Sequence, residues 1–109
     1  MTECLFCKII NKEIDSSIVY EDEDVLAIND INPQAPVHIL LMPKKHIANL
    51  DDVQESDQGL LGYIQFRARE IARQVGVGGN FRLMTNCGWK AGQRVFHLHY
   101  HRMGGRDME

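Results

Sequence analysis

Three histidines alternate with other residues in the segment FHLHYHRM, at residues 96–103. On a β-strand, side chains two positions apart lie roughly 6.5 to 7 Å from each other on the same face, so His97, His99 and His101 are predicted to share one face. A row of imidazoles that titrate at about pH 6.5 is not a typical core face. The chain is therefore predicted to end in a strand, at residues 95–103, with a functional histidine face.

The rest of the pattern predicts a small α+β fold. A short helix is expected at residues 4–11, and apolar residues at steps of three and four predict a long amphipathic helix at 55–75 that glycines end. Runs of β-branched and aromatic residues between turn residues predict four further strands, at 18–21, 25–29, 37–42 and 81–85. The order predicts an antiparallel five-stranded sheet with the long helix covering one face.

Length and composition restrict the class of protein. The 109 residues suit a single domain at 1–109, and 44% hydrophobic and 25% charged residues are typical of a globular chain. Without a long apolar run or a secretory signal pattern, no membrane association is expected and the cytoplasm is the default location. The net charge of −3 argues against nucleic acid as a partner.

The cysteines allow two interpretations. Cys4 and Cys7 are too close in sequence to join distant segments, and Cys87 has no obvious partner, so a disulfide framework is not expected. The Cys-x-x-Cys spacing is typical of zinc sites but supplies only half of a tetrahedral ligand set. Reduced core thiols and a metal site both remain open at this point.

Two kinds of chemistry suit the histidine row. Paired imidazoles could bind a catalytic zinc ion, which would give a hydrolase that uses zinc-bound hydroxide. Alternatively, one imidazole is a nucleophile while its neighbours set its tautomer and protonate the leaving group. The second interpretation is favoured because the preceding polar loop offers donors for an anion, namely Asn86, Gly92, Gln93 and Arg94. No acidic cluster for Mg²⁺ is evident beside that loop, so the chemistry is not expected to need a divalent ion.

The run HLHYHRM is similar to the signature of the histidine triad (HIT) family. CLFCKIINKEI, DINPQAPVHILLMPKKHI and AGQRVFHLHYHRMGGR also resemble, in order and spacing, its Hint-type branch, and the likeness runs from Cys4 to Arg106. It implies a HIT-like fold, a homodimer whose sheet extends across both copies, and hydrolysis of purine nucleoside phosphoramidates or related nucleotides. The bond cleaved would be P–N or P–O at the α-phosphate, with AMP or GMP derivatives as substrates.

The resemblance also implies roles for individual residues. His99 would attack the α-phosphorus and carry the nucleotide as a covalent intermediate, the backbone carbonyl of His97 would hold the far nitrogen of that ring, and His38 and His101 would flank the site. Asp30 would accept hydrogen bonds from the ribose hydroxyls. The purine would contact Phe6, Ile9, Ile28 and Ile31, and the phosphate would contact Asn86, Gly92, Gln93 and Arg94.

A structural zinc site is implied as well. Some bacterial relatives bind zinc through the paired cysteines, the histidine of a PKxH-like segment and the first triad histidine. The corresponding residues are all present in this chain, as Cys4, Cys7, His46 and His97.

Two residues depart from the family pattern. Arg94 stands where Hint-type proteins often carry a small hydroxyl residue, and Arg102 stands at an apolar position of the signature. Arginine stabilises charge but does not relay a proton, so a polyphosphate leaving group becomes more plausible. The alternatives are therefore a dinucleoside polyphosphate hydrolase, a nucleotide-binding regulatory module with negligible turnover, and a hydrolase with catalytic zinc on the triad.

Overall fold

The computed structural model describes residues 4–108, which form an α+β fold as predicted. The strands are β1 (Ile18–Glu21), β2 (Val25–Asn29), β3 (Val37–Pro43), β4 (Phe81–Met84) and β5 (Tyr100–Gly104), and the helices are α1 (Leu5–Ile10) and α2 (Gln58–Gln74). The strands pair antiparallel in one five-stranded sheet, in the order β1-β2-β3-β5-β4. Short 3₁₀ turns lie at Leu50–Asp52, Glu55–Asp57 and Trp89–Ala91.

The two faces of the sheet bury different residues because successive side chains on a strand point to opposite sides. Helix α2 covers one face, where its Ile64, Ala68 and Ile71 pack against Ile39 and Leu41 of β3. Ile64 and Ile71 are almost fully buried, and burial of such side chains stabilises the fold by about 1.5–3 kcal/mol each. The amphipathic helix expected from the sequence is thus confirmed, although its first turn, at Glu55–Asp57, is 3₁₀.

Helix α1 is much shorter and lies against the opposite face. Its Phe6 and Ile9 pack on Leu26, Leu40 and Met42 of the central strands. A helix of six residues leaves part of this sheet face uncovered, and that part becomes available for a ligand cavity.

The end of α2 follows the glycine signal in the sequence. Val75 caps the helix, and Gly76 adopts a φ of 85°, which a residue without a Cβ tolerates best. Within residues 4–108, no helix combines the length and apolar character that crossing a membrane requires.

The last strand is shorter than predicted, since β5 begins only at Tyr100. Residues 95–99 leave strand geometry because Leu98 N–H donates to the Ile47 carbonyl at 2.6 Å and the His97 ring contacts the Pro43 carbonyl at 2.7 Å. These bonds tie the segment to the chain at the end of β3 instead of to a neighbouring strand. The prediction of one strand at 95–103 is wrong over its first half.

The shared histidine face changes accordingly. The rings of His99 and His101 are neighbours, with centroids 5.1 Å apart, whereas the His97 ring lies 4.9 Å from the ring of His46. The His97 ring is thus grouped with His46 and not with His101, although Phe6 of α1 contacts the rings of both His97 and His99.

Candidate active site

A cavity of about 650 Å³ opens on the α1 face of the sheet. Its volume lies within the range of small-molecule sites, roughly 300–1,000 Å³. It brings together most of the residues that the sequence nominated, although they come from distant parts of the chain. Those lining it are Phe6, Ile9, Ile28, Asp30, Ile31, His38, Asn86, Gly92, Arg94, His99 and His101. Gln93 and His97 are not among its lining residues.

The geometry of His99 fits a nucleophile. Its ring is 8% exposed, and its Nδ1 lies 2.7 Å from the carbonyl oxygen of His97. Since a carbonyl oxygen can only accept, Nδ1 carries the proton and Nε2 keeps a free lone pair. Burial lowers the pKa of His99, although the hydrogen bond to His97 acts in the opposite direction, so the ring is neutral at pH 7. Phe6 packs edge-on against this ring, with centroids 4.9 Å apart.

His38 and His101 form a hydrogen-bonded pair beside it. The backbone N–H of Gln34 donates to Nδ1 of His38 at 3.0 Å, so the proton of the neutral His38 ring lies on Nε2. That Nε2 lies 2.9 Å from Nδ1 of His101 and 3.3 Å from Oδ2 of Asp30. His101 therefore accepts through Nδ1 and presents an Nε2–H donor.

Burial and neighbouring groups keep both of these rings neutral. Burial lowers the pKa of His38 more than the nearby Asp30 carboxylate raises it. Burial, together with the neighbouring rings of His99 and His38, lowers the pKa of His101 to about 4. Near pH 7 the site thus contains one imidazole lone pair and one imidazole N–H donor without a histidine cation.

Asp30, His38 and His101 lie close enough together to be considered as metal ligands. The hydrogen bond from Gln34 argues against that use, because it leaves the ring proton, not a lone pair, on Nε2 of His38. Asp30 is also partly engaged, since its Oδ1 accepts from the backbone N–H of Asn32 at 2.9 Å. Asp30, His38 and His101 are therefore better described as a chain of hydrogen-bonded side chains than as a metal site.

Gln93 has a different place from the one its sequence position suggested. It is 1% exposed, its Oε1 accepts from Gly88 N–H at 2.8 Å, and its Nε2 donates to the carbonyls of Ala48 at 2.7 Å and Val95 at 3.0 Å. All of these partners belong to the protein backbone. The side chain of Gln93 therefore holds the shape of the 88–95 loop from outside the cavity, and its contact with a phosphate stays a prediction.

Arg94 does reach the cavity, supported by a residue that the sequence did not nominate. Its guanidinium carbon lies 3.7 Å from the ring centroid of Trp89, and its Nη1 donates to the Trp89 carbonyl at 2.8 Å. Trp89 is 62% exposed and is the single tryptophan of the chain. The sequence signal that could have indicated Trp89 was its place as an aromatic residue in a polar, glycine-containing loop. That signal does not by itself predict that an arginine stacks on it.

The paired cysteines meet two histidines next to this cavity. Nδ1 of His97 lies 3.4 Å from Sγ of Cys4 and 3.6 Å from Sγ of Cys7, while Nδ1 of His46 lies 3.3 Å from Sγ of Cys7 and 3.2 Å from Nδ1 of His97. Metal–ligand bonds of about 2.0–2.3 Å in a tetrahedral site place ligand atoms at about these separations. The four residues could therefore hold a metal ion.

The protonation state of this cluster fits a ligand set. Nε2 of His97 lies 2.7 Å from the Pro43 carbonyl, so Nε2 carries the proton and Nδ1 offers its lone pair to the cluster. Burial and the adjacent Cys4 raise the pKa of the Cys7 thiol to about 11, and a bound cation would favour the thiolate instead. His97 is consequently a member of this cluster through its side chain, while its backbone carbonyl accepts from the cavity-lining His99.

Comparison with known proteins gives a consistent result. Residues 3–108 match the family model described as scavenger mRNA decapping enzyme C-term binding. The chain is 50% identical, over 104 residues, to an uncharacterized HIT-like protein of Synechocystis sp., a match that covers 95% of this chain and 91% of that protein. Two solved structures agree along nearly the whole chain.

The first is a HIT family hydrolase from Clostridium thermocellum, which is 53% identical with a TM-score of 0.96 and covers 100% of this chain and 96% of its own. The second is a HIT family hydrolase from Legionella pneumophila, which is 46% identical with a TM-score of 0.96 and covers 98% of this chain and 96% of its own. Fold and sequence are thus similar to those of both proteins over essentially their full length.

Proposed function

Because this chain belongs to the histidine triad family, we propose that it is a nucleotide hydrolase that acts at the α-phosphate of purine nucleoside phosphoramidates or related nucleotides. One observation carries the proposal. His99, inside a cavity of nucleotide size, is held with its proton on Nδ1 by the His97 carbonyl, which leaves Nε2 free to attack phosphorus. The HIT family hydrolases that the chain resembles support a hydrolytic reaction.

The reaction proceeds in two displacements at phosphorus. In the first, Nε2 of His99 forms a bond to the α-phosphorus while the bond to the leaving nitrogen breaks, and that nitrogen keeps the electron pair and takes a proton from water. In the second, the resulting hydroxide equivalent attacks phosphorus, and the electron pair of the P–Nε2 bond returns to His99. The products are a nucleoside monophosphate and an amine. The Nε2–H of His101, aligned by His38, donates to a phosphoryl oxygen as charge develops there.

The cavity offers separate places for the parts of a nucleotide. The purine packs on the apolar residues from α1 and β2 and on Ile31, which is 90% exposed and would be covered by a base. Asp30 accepts hydrogen bonds from the ribose hydroxyls, because an ionised carboxylate is an acceptor-only group suited to a diol. Asn86 and the backbone at Gly92, whose φ is 100°, face the phosphate. Gln93 supports this loop without touching the substrate.

We also propose that Cys4, Cys7, His46 and His97 bind a structural zinc ion. Two thiolates and two imidazoles are a ligand set that zinc prefers, and the four side chains come from three segments that the ion would join, at residues 4–7, at His46 and at His97. The ion would cross-link α1 to the segment that follows β3. It would take no part in the displacement at phosphorus. A homodimer in which the sheet continues past one edge strand completes the proposal, since β1 and β4 are each paired on one side only within the described chain.

The test is hydrolysis of adenosine 5′-phosphoramidate by the wild type and by His99→Ala, each with and without a chelator. We expect metal-independent turnover, a loss of roughly 10³-fold or more in kcat for the variant, and a nucleotidyl adduct in base-quenched wild-type samples by mass spectrometry. AMP binding measured by calorimetry controls for folding of the variant, because the purine and ribose contacts do not involve His99.

Three results would contradict the proposal. Turnover retained in His99→Ala would exclude this nucleophile. Turnover abolished by the chelator while the fold persists would favour catalytic zinc. Binding of AMP without turnover of any phosphoramidate would favour a regulatory nucleotide-binding module.

A further inference from the structure

We propose that Arg94 and Trp89 form a leaving-group subsite that selects substrates whose leaving group carries a negative charge, such as a carboxylate or a phosphate. The proposal rests on the function proposed above, because it concerns the second substituent of the same α-phosphate. It assigns Arg94 as a specificity-determining residue and Trp89 as the residue that positions it.

The guanidinium of Arg94 is held in place before any ligand arrives. It stacks on the Trp89 ring with 3.7 Å between the guanidinium carbon and the ring centroid. Its Nη1 donates to the carbonyls of Trp89 at 2.8 Å and Gln93 at 3.2 Å. Among the described residues these hydrogen bonds use Nη1 alone, so Nη2 and Nε remain as donors. A planar guanidinium with two fixed donors suits a carboxylate or phosphate better than a flexible ammonium does.

The turn that carries Trp89 is itself anchored to the buried part of the loop. Trp89 begins a short 3₁₀ turn that lies between Gly88, with a φ of 96°, and Gly92, with a φ of 100°. The buried Gln93 side chain pins this turn by accepting from Gly88 N–H. A large aromatic side chain that is 62% exposed would be costly to leave in water, and here one face of it is covered by Arg94. The turn therefore presents the arginine in one defined orientation.

The position of Arg94 in the cavity points to the leaving group instead of the base. The nucleoside is accounted for by the apolar residues of α1 and β2 and by Asp30. Arg94 comes from the same loop as Asn86 and Gly92, which the function proposed above assigns to the phosphate. The α-phosphorus carries the nucleoside oxygen, the leaving group and two non-bridging oxygens, so a loop that contacts the phosphate away from the nucleoside is the side left for the leaving group.

Among residues 4–108, Arg94 is the only lysine or arginine that lines the cavity. Asp15 and Asp30 line the cavity as well and repel an unpaired anion. An anionic leaving group is thus bound favourably only where it contacts Arg94. This residue therefore discriminates between anionic and neutral leaving groups.

The experiment compares two substrates that differ in one group, the AMP phosphoramidates of glycine and of glycinamide. The leaving group of the first substrate is glycine, which carries a carboxylate. The leaving group of the second is glycinamide, in which a neutral amide replaces that carboxylate. For the wild type we expect a higher kcat/KM with glycine, and in Arg94→Gln we expect the ratio of the two kcat/KM values to fall roughly tenfold. The effect should weaken with added salt, because the side chain is solvent-exposed.

Variants of Trp89 separate positioning from a purely structural role. Trp89→Leu removes the platform and is expected to lower the glycine preference mainly through KM. Trp89→Phe keeps a stacking face and should restore the ratio to within about twofold of the wild type. Thermal melting of all variants serves as the control for folding.

The outcomes distinguish the two proposals. If the wild type hydrolyses both substrates but Arg94→Gln leaves their ratio unchanged, the subsite is wrong and the hydrolase stands. If neither substrate is hydrolysed, the hydrolase proposal fails, and calorimetric dissociation constants for the same pair then decide the subsite. Equal affinities of the wild type for both would overturn it, and a preference for glycine that is lost in Arg94→Gln would support it.

Discussion

The backbone carbonyl of His97 lies 2.7 Å from Nδ1 of His99, while the ring of the same His97 lies 3.2 Å from Nδ1 of His46 in the cysteine cluster. One residue thereby belongs to two sites, through its main chain to the proposed nucleophile and through its side chain to the proposed zinc ligands. Any change that moves the His97 ring is expected to disturb the hydrogen bond that sets the tautomer of His99.

Loss of the metal cluster should lower the thermal stability of the chain. We expect Cys7→Ser, or removal of bound metal by a chelator, to lower the thermal midpoint by roughly 5 to 10 °C, because the link between α1 and the segment around His97 is lost. Calorimetry and metal content by mass spectrometry provide the measurement. Cys87→Ser is the matched control, since Cys87 is an exposed free cysteine outside the cluster. Equal melting of the two variants would contradict the prediction.

Gln93 should matter for the fold of the loop more than for the binding of substrate. Gln93→Met keeps a similar size but leaves the polar backbone groups of Gly88, Ala48 and Val95 without their partner. We expect the free energy of unfolding to fall by about 2–4 kcal/mol, measured by urea denaturation. If stability stayed unchanged and only KM for the nucleotide rose, the side chain would instead be contacting the phosphate.

Arg102 should destabilise the chain relative to an apolar residue. Its side chain is fully buried beneath the sheet, and within residues 4–108 none of its guanidinium nitrogens has a hydrogen-bond partner. Burial lowers the pKa of this group to about 10, and its guanidinium carbon lies 5.8 Å from the centroid of the Phe81 ring. We expect Arg102→Met to raise the free energy of unfolding by about 1–3 kcal/mol.

Arg82→Met is the control for that experiment, because Arg82 lies on the adjacent strand but is exposed. Its effect should stay within about 0.5 kcal/mol. A loss of stability in Arg102→Met at high protein concentration that disappears on dilution would point to a partner group from a second copy of the chain.

The acid stability of the fold should depend on Asp22. Its carboxylate accepts from the hydroxyls of Tyr63 and Tyr20 and from the backbone N–H groups of Asp24 and Val25. Burial alone would raise the pKa of Asp22, but these hydrogen bonds outweigh it and lower the pKa to about 2. The folded pKa lies below the unfolded value of about 3.9, so the stabilisation is complete above that pH and is lost as the pH falls toward 2.

Asp22→Asn is accordingly expected to lower the free energy of unfolding by about 1–3 kcal/mol at neutral pH. The difference from the wild type should shrink as the pH drops below about 4, where the wild-type carboxylate begins to protonate. Urea denaturation across this range checks the sign, with the exposed Asp51→Asn as control. A difference that did not change with pH would show that the ionised carboxylate is not responsible.

The sequence pattern predicted those helices and strands whose formation depends on residues close to one another in the chain. The bounds of β1 and β2 match the prediction residue for residue, and α2 differs only at its ends. Alternating burial in strands and three- to four-residue periodicity in helices are properties of neighbouring residues, so they can be read along the chain. The family resemblance likewise named part of the cavity lining, including Asp30, His38 and His99, but not Leu5, Ile14 or Met103.

The errors arose where distant segments decide the geometry. The alternation at residues 95–99 predicts a strand, but bonds to Ile47 and Pro43 draw this stretch away from the sheet and turn His97 toward the cysteines. Gln93 and Arg94 are adjacent, and nothing in their spacing tells that one is enclosed by backbone carbonyls while the other stacks on Trp89.

The sequence by itself determined which elements form, which family the chain resembles, and which side chains are available for chemistry, because these follow from residue type and order. Only the tertiary structure decided which atom of each side chain is free to react. The tautomers of His38, His97 and His99 are each set by a backbone group, and two of these groups come from parts of the chain other than the triad itself. Such hydrogen bonds depend on which backbone groups the fold brings next to each ring. The order of residues along the chain does not show which groups these are.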